Sequence, residues 1–223
     1  TGFFQVRNSA TVNMSNTNIY CLYRFRIESL NYNTELSTIY MVGSSIDEVL
    51  SKSNIRLLVM DQSNSADVNG SGSWIGLYQR IDIRGTGVTT LYSLTSDSII
   101  VNAGKTVEIN GTVAINDYLS ISGSCTGLST LRAHSGTGTL SSSSANIAVN
   151  YANIENITAT GGASFVANDS YDLGGNSGWT INSTSAKDYY WVGDGGSWDD
   201  GSHWALSSGG AGSGCVPTYQ DNV

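Results

Sequence analysis

The sequence predicts an all-β chain: a parallel β-helix (a β-solenoid) preceded by a β-sandwich-like or irregular β region. Three observations predict it. The first is a period in Ser96 to Ser124. Val107 and Ile109 bracket Glu108, Val113 and Ile115 bracket Ala114 six residues on, and Leu119 and Ile121 bracket Ser120 six further. Each triplet alternates apolar and polar, as a strand with one buried face does. The second is the turn chemistry between the triplets, Asn110-Gly111 and Asn116-Asp117, residues that favour tight corners. The third is composition. Only 13% of residues are charged, with 26 Gly and one Pro, and Ser, Thr and Asn supply the polarity. Such a mixture suits exposed strands and turns and is poor helix material. Strands this short fit the faces of one solenoid coil, and stacked coils pair in parallel around one apolar interior. Right-handed winding is the default for parallel crossovers. The rival reading is a set of short hairpins in a sandwich.

Residues 1–95 read as a separate β-sandwich-like region. In NIYCLYRFRIESL, Ile19, Cys21, Tyr23, Phe25 and Ile27 share one face and Arg24 and Arg26 the other. That alternation predicts one half-buried antiparallel strand whose apolar side meets Leu57 and Ile75. Further strands are expected in STIYMVG (37–43), NIRLLVMDQ (54–62) and SWIGLYQRIDI (73–83), with a Gly/Ser/Asn loop over 64–73. Ser45 as N-cap with Glu48 three residues later predicts a single helical turn. The spacing of these strands resembles part of a concanavalin-like jelly roll. An irregular start to the solenoid is the rival, since terminal coils are often atypical.

Residues 96–185 carry the solenoid pattern. After the hexads, short strands are expected around Leu131, in Gly136 to Leu140, in NIAVNYANIENI (146–157), in SFVA (164–167) and in GWTI (178–181). Val107, Val113 and Leu119 should point inward on different faces of one coil. Residues 186–223 then change character. Trp191, Trp198 and Trp204 fall within fourteen residues of a Gly/Ser-rich stretch. Tryptophans so dense must pack on something, and the open end of the solenoid, an exposed edge that invites aggregation, is the expected place.

This last segment also carries a resemblance. Tyr190-Trp-Val-Gly, Gly196-Ser-Trp-Asp, Ser202-His-Trp-Ala-Leu-Ser-Ser-Gly-Gly-Ala-Gly, Val216-Pro-Thr and Asp221-Asn-Val resemble the connector of very large secreted and surface adhesin-like proteins of Bacteroidota-type bacteria, and of related phage structural proteins. There the connector joins units with AGKTVEINGTVAIN-like stretches thought to be parallel β-helices. Residues 97–223 match that arrangement. The resemblance implies an architecture and carries no catalytic residue. The stop at Gln220-Asp-Asn-Val reads as the start of another repeat in a longer polypeptide.

Candidate chemistry is sparse. Net charge is −8 with pI near 4.5, which argues against nucleic acid, whose phosphates need a basic patch, and against anionic membranes. No apolar run is long enough to span a bilayer. There is no nucleophile elbow, HExxH or phosphate loop. His134 lies in AHSGTG with no acid close in sequence, and His203 is placed to cap or pack. Glu108, Asp117 and Glu155 share no phase of the repeat, and Arg132 stands alone among the solenoid strands. The paired carboxylates of a glycosidase are therefore not expected, and no catalytic residue or organic cofactor is assigned. Asp194, Asp199 and Asp200 in their Gly-rich loop are candidate calcium ligands, with solvated turn acids as the rival. Trp198 and Trp204 are candidates for stacking on sugars, with packing as the rival. Cys21, Cys125 and Cys215 form no CxxC. They read as buried small side chains, with one disulfide as the alternative.

The function expected is non-enzymatic. The chain is a rigid solenoid spacer or filament element of a large extracellular surface or fibre protein, its partners other segments or copies of that protein and cell-surface glycans. A virion is the alternative location. A carbohydrate-binding or polysaccharide-degrading β-helix module is the alternative function.

Overall fold

A computed structural model describes residues 3–6, 17–28, 34–43, 48–52, 54–70, 72, 74 and 77–223. Two long sheets run the length of the stack. One is nine-stranded: Phe3–Val6, Arg24–Ile27, Glu48–Ser51, Ala66–Asn69, Thr89–Tyr92, Thr106–Asn110, Ser129–Ala133, Ala152–Glu155 and Tyr171–Asp172. The other starts at Asn18–Cys21 and passes through Thr34–Met41, Ile55–Met60, Tyr78–Ile83, Thr95–Val101, Thr112–Ser122, Asn146–Asn150 and Phe165–Asn168 to Trp179–Asn182. Gly138–Ser141 and Ile157–Thr160 stack on Thr112–Ala114 and make a short third face. The chain alternates between the two sheets, and neighbouring strands are parallel from the first rung to the last. This is a β-solenoid. Among the described residues no helix is long and apolar enough to cross a membrane.

The hexads close a coil as their spacing implies. Val107 is 2%, Val113 0% and Leu119 2% exposed. They pair in parallel with Leu131, Leu140 and Ile147 of the next coil. Asn116 and Asp117 are exposed at a corner, although Thr112–Ser122 continues through it as one strand. Stacking turns each inward position into a column. Ile19, Ile39, Leu58, Ile81, Ile99, Leu119 and Ile147 form one, and Cys21, Met41, Met60, Ile83, Val101, Ile121, Val149, Ala167 and Ile181 form another. Fully burying one such side chain is worth about 1.5–3 kcal/mol, so the columns dominate the stability.

Corners are stacked as well. Asn150 is in register with Asn168, and Asn168 with Asn182. The Asn182 amide donates to Asn168 Oδ1 at 2.9 Å. Gly161 has φ +97°, and a Cβ there would run into the Ser142 backbone, so glycine is required on both counts.

The N-terminal strands do not form a sandwich. Those described pair in parallel and belong to the same two sheets as the hexads, and Thr95–Val101 joins strands on both sides of the expected boundary. What reads as one antiparallel strand over 18–28 is two strands, Asn18–Cys21 and Arg24–Ile27, one in each sheet. The chain bends between them, which leaves Ile19, Cys21, Phe25 and Ile27 buried but turns Tyr23 outward at 46% exposed. Alternation survives the corner, so sequence alone cannot distinguish one long strand from two short ones. Leu57 lies on the outward-facing register and is half-buried, and Ile75 falls outside the described residues. Ala66–Asn69 is a strand inside the expected loop. Of the expected helical turn, Ser45 to Asp47 lie outside the described residues, and Glu48 opens strand Glu48–Ser51.

Candidate functional site

The outward face of the nine-stranded sheet carries a column of polar residues. In register these are Arg24, Glu48, Asp67, Thr90, Glu108, Arg132 and Glu155. Alternation places them outward, as with Asp67 between the inward Ala66 and Val68 and Glu108 between the inward Val107 and Ile109. At the centre, Arg132 donates Nε and Nη2 to Glu108 Oε1 at 2.9 and 2.7 Å. His134 Nδ1 lies 2.7 Å from Glu108 Oε2, and the Thr90 hydroxyl donates to the same oxygen at 3.4 Å. The Tyr92 ring sits 5.8 Å from the His134 ring.

This cluster corrects two sequence expectations. His134 does have an acid beside it, and Arg132 is not alone. The partner in each case is Glu108, 26 and 24 residues away, and only the stacking register brings them together. Glu108 and Glu155 share this column with Arg132 between them, whereas Asp117 sits at a corner of the other sheet. Coils of unequal length, 18 residues from Leu91 to Ile109 but 24 from Val107 to Leu131, hide that common phase.

The chemistry available is limited by saturation. Burial by itself would raise the Glu108 pKa, but the hydrogen bonds from His134 and Arg132 outweigh it and hold the carboxyl below its ordinary value. Glu108 is thus kept ionised, with both oxygens engaged. A glycosidase acid needs the opposite, a carboxyl kept protonated. A second carboxylate, Asp82, is 2% exposed and is held by Arg80 at 2.6 Å and Arg84 at 2.6 Å. Both clusters work as ionic staples between or along strands.

The tryptophan segment is a small module of its own. Tyr190–Trp191 pairs antiparallel with Trp204–Ala205, and the 3-10 turn Gly201–His203 lies just before the second strand. Trp204 is 3% exposed and meets Trp191 and Trp198 edge to face at 5.1 and 4.5 Å. Its indole N–H donates to the Trp198 carbonyl at 2.8 Å. His203 stacks on Trp191 at 4.8 Å and places Nδ1 2.9 Å from the Val192 carbonyl, so it packs and caps as its position suggests. Trp191 and Trp198 remain 39% and 53% exposed. The expectation that all three tryptophans are buried against the solenoid's end is overturned. They bury one another's edges instead, around Trp204.

Of the candidate sugar-stacking residues, Trp198 presents a surface and Trp204 does not. Asp194, Asp199 and Asp200 are not gathered into a cation site. Asp200 caps the 3-10 turn by accepting from the Ser202 N–H at 2.9 Å, and the Ser202 hydroxyl together with that N–H holds its carboxyl below the ordinary value. Among the described residues no group of three or more His, Cys, Asp or Glu is placed to hold a metal ion.

The module is fastened to the solenoid's flank. Cys125, in the corner after Thr112–Ser122, is disulfide-bonded to Cys215, and Cys21 is free and buried. Tyr171 of the solenoid shares hydrogen bonds with Thr184 and Thr218, and its ring meets that of Tyr219 at 5.2 Å. Asp221 accepts from the backbone N–H groups of Lys187 and Thr218 at 2.8 and 2.7 Å. Cysteines 90 residues apart gave no signal in the sequence that they would meet.

Compared with family models, with curated proteins and with solved structures, the chain matches none.

Proposed function

We propose that this chain is a rigid β-solenoid segment of a large extracellular protein, a spacer or filament element with a structural and adhesive role and no catalytic residue. The observation that carries the reading is continuity. Both sheets run from the first described rung to the last without a break. At about 4.8 Å per parallel strand, nine strands make a rod of roughly 40 Å, stiff because each rung is hydrogen-bonded to the next. The Cys125–Cys215 disulfide supports an oxidising, extracellular setting. A bacterial surface adhesin is the preferred context and a phage fibre the alternative.

A carbohydrate-contacting role is the second reading, favoured by the exposed indole of Trp198 beside Trp191. Aromatic faces on a rigid support suit sugar rings. A glycan array together with a reducing-sugar assay on the isolated chain tests both. Release of new reducing ends would sink the structural reading. Binding lost in Trp198→Ala, without hydrolysis, would make glycan contact the adhesive part of the rod's role.

A further inference from the structure

The last coil of the solenoid shapes a cleft of about 170 Å³, lined by Asp172, Asn176, Ser177, Trp179, Ile181 and Ser183. Two elements build it. Trp179–Asn182 ends one sheet, and its inward residues Trp179 and Ile181 are only half-buried. The turn after Tyr171–Asp172, which ends the other sheet, brings the polar wall. That wall is held rigidly. The Asn176 amide donates to the Ile154 carbonyl at 2.7 Å and to Asp172 Oδ1 at 2.6 Å, and its own Oδ1 accepts from the Ile157 N–H at 2.9 Å. The Ser177 hydroxyl donates to the Thr158 hydroxyl at 3.0 Å. The Trp179 ring is fixed edge to face on Phe165 at 5.2 Å. Among the described residues, Asp172 Oδ2 and the Ser183 hydroxyl are left without a partner.

We propose that this cleft binds one uncharged pyranose ring of a glycan. The size fits, because a cavity of about 150 Å³ already takes a six-membered ring. The chemistry fits as well. An indole and an aliphatic side chain meet the C–H face of such a ring, while a carboxylate oxygen and a hydroxyl meet its hydroxyl edge. The Asp172 carboxylate supplies the stronger bond, since hydrogen bonds to an ionised acceptor are the strong kind. It also sets the charge of the ligand. No Lys, Arg or His lines the cleft, so a uronate, sulfate or phosphate would face an unopposed carboxylate. The wall is already ordered by its own hydrogen bonds, so binding has little of the chain left to immobilise. The proposal rests on the glycan-contacting part of the function proposed above, and its site does not include Trp198.

The test is nuclear magnetic resonance on the full, nitrogen-labelled chain. Each of the five tryptophans gives one indole N–H signal, and Trp179→Phe identifies the signal of Trp179. That N–H has no acceptor in the chain, so its signal reports a change at the cleft wall. The probes are the methyl glycosides of glucose, galactose and mannose, taken to tens of millimolar because a single ring binds with a Kd of about a millimolar. At least one should move the Trp179 signal saturably. Ser183→Phe fills the cleft from an exposed position, and it should abolish the movement while leaving the other indole signals in place. Asp172→Asn keeps the Oδ1 contacts, replaces Oδ2 and should weaken binding about tenfold. A Trp179 signal that none of the three glycosides moves, or that moves equally in Ser183→Phe, overturns the site. Movement confined to the Trp198 signal also overturns it but spares the glycan-contact reading, which fails only if the glycan array finds no ligand.

Discussion

Glu108 and Arg132 face each other across adjacent parallel strands, the guanidinium placing two N–H groups on one carboxylate oxygen at 2.9 and 2.7 Å. The pair joins successive coils, and His134 closes the other oxygen. Arg132 is 43% exposed and Glu108 only 13%, so the carboxylate is the side whose loss strands its partners. Glu108→Gln should lower unfolding free energy in urea by about 1–3 kcal/mol, the usual cost of stranding hydrogen-bonded charged groups. Arg132→Ala should cost less, about 1 kcal/mol or below, as half-exposed pairs do. An equal or reversed order would mean that the cluster does not hold the coils.

The same cluster sets an acid limit. Glu108 and Asp221 both have carboxyls lowered from their ordinary values of 4.5 and 3.8. For Glu108 burial opposes the shift, and the His134 and Arg132 hydrogen bonds win. For Asp221 burial again opposes it, and the backbone N–H groups of Thr218 and Lys187 win. A depressed carboxyl contributes stability that is complete above its unfolded value and disappears as pH falls through the folded one. Melting temperature should therefore hold from neutral pH to about 5 and fall below it. The fall between those ordinary values and the lowered ones should be shallower in Glu108→Gln. A variant curve parallel to the parent's would assign the acid transition elsewhere.

Val113 is fully buried on the third face, paired with Leu140. Val113→Asp places an uncompensated carboxylate inside the stack, a change in the class that costs about 4 kcal/mol or more. Urea unfolding of Val113→Asp against Val113→Ala separates this charge penalty from simple loss of packing. If the two variants were equally stable, Val113 would not be an interior residue in solution.

How much of this was legible follows from how closely one coil's strands are spaced along the chain. Val107, Val113 and Leu119 lie six residues apart on three faces, and there the period shows in the sequence. From Phe25 to Val49 a coil takes 24 residues and from Leu119 to Ile147 it takes 28, and strands spaced so unevenly looked unrelated. The aromatic alternation at Ile19 to Ile27 was visible, but the bend inside it was not, because a corner with Leu22 and Tyr23 turned outward has no glycine or proline to mark it. Glu108, Arg132 and His134 were all visible as residues. Their meeting depends on register between coils, a long-range property that no local spacing encodes.

The tryptophan module gives a graded prediction. Trp204 is the shared centre, in contact with Tyr189, Trp191 and Trp198, and its loss leaves a cavity no neighbour can fill. Trp204→Ala should cost about 3–5 kcal/mol in the module's own transition, followed by tryptophan fluorescence. Trp198→Ala, at 53% exposed, should cost clearly less and should not alter the solenoid's far-UV signal. If Trp198→Ala were the more damaging change, the exposed indole would be packing on something in solution, and the sugar-contact reading of its surface would lose its support.

The disulfide makes the attachment of that module conditional. Cys125 and Cys215 are the only covalent tie between the solenoid's flank and residues 186–223 apart from the chain itself. Otherwise the module is held by the Tyr171 hydroxyl, the Tyr219 ring and the Val216 N–H on the Cys125 carbonyl at 3.4 Å. Losing a disulfide that closes so long a loop costs about 2–5 kcal/mol. The solenoid's own core columns do not include the module, so that loss should fall on the attachment. Lys187 reports on it. Its backbone is clamped by Asp221 and Asn222, yet its side chain is exposed, and it is the last cation before the end of the chain. Cys215→Ser, or reduction of the parent, should make trypsin cut after Lys187 much faster and leave the solenoid strands resistant. Equal cutting rates in oxidised and reduced chains would show that the tyrosine and aspartate contacts hold the module without the sulfur bridge.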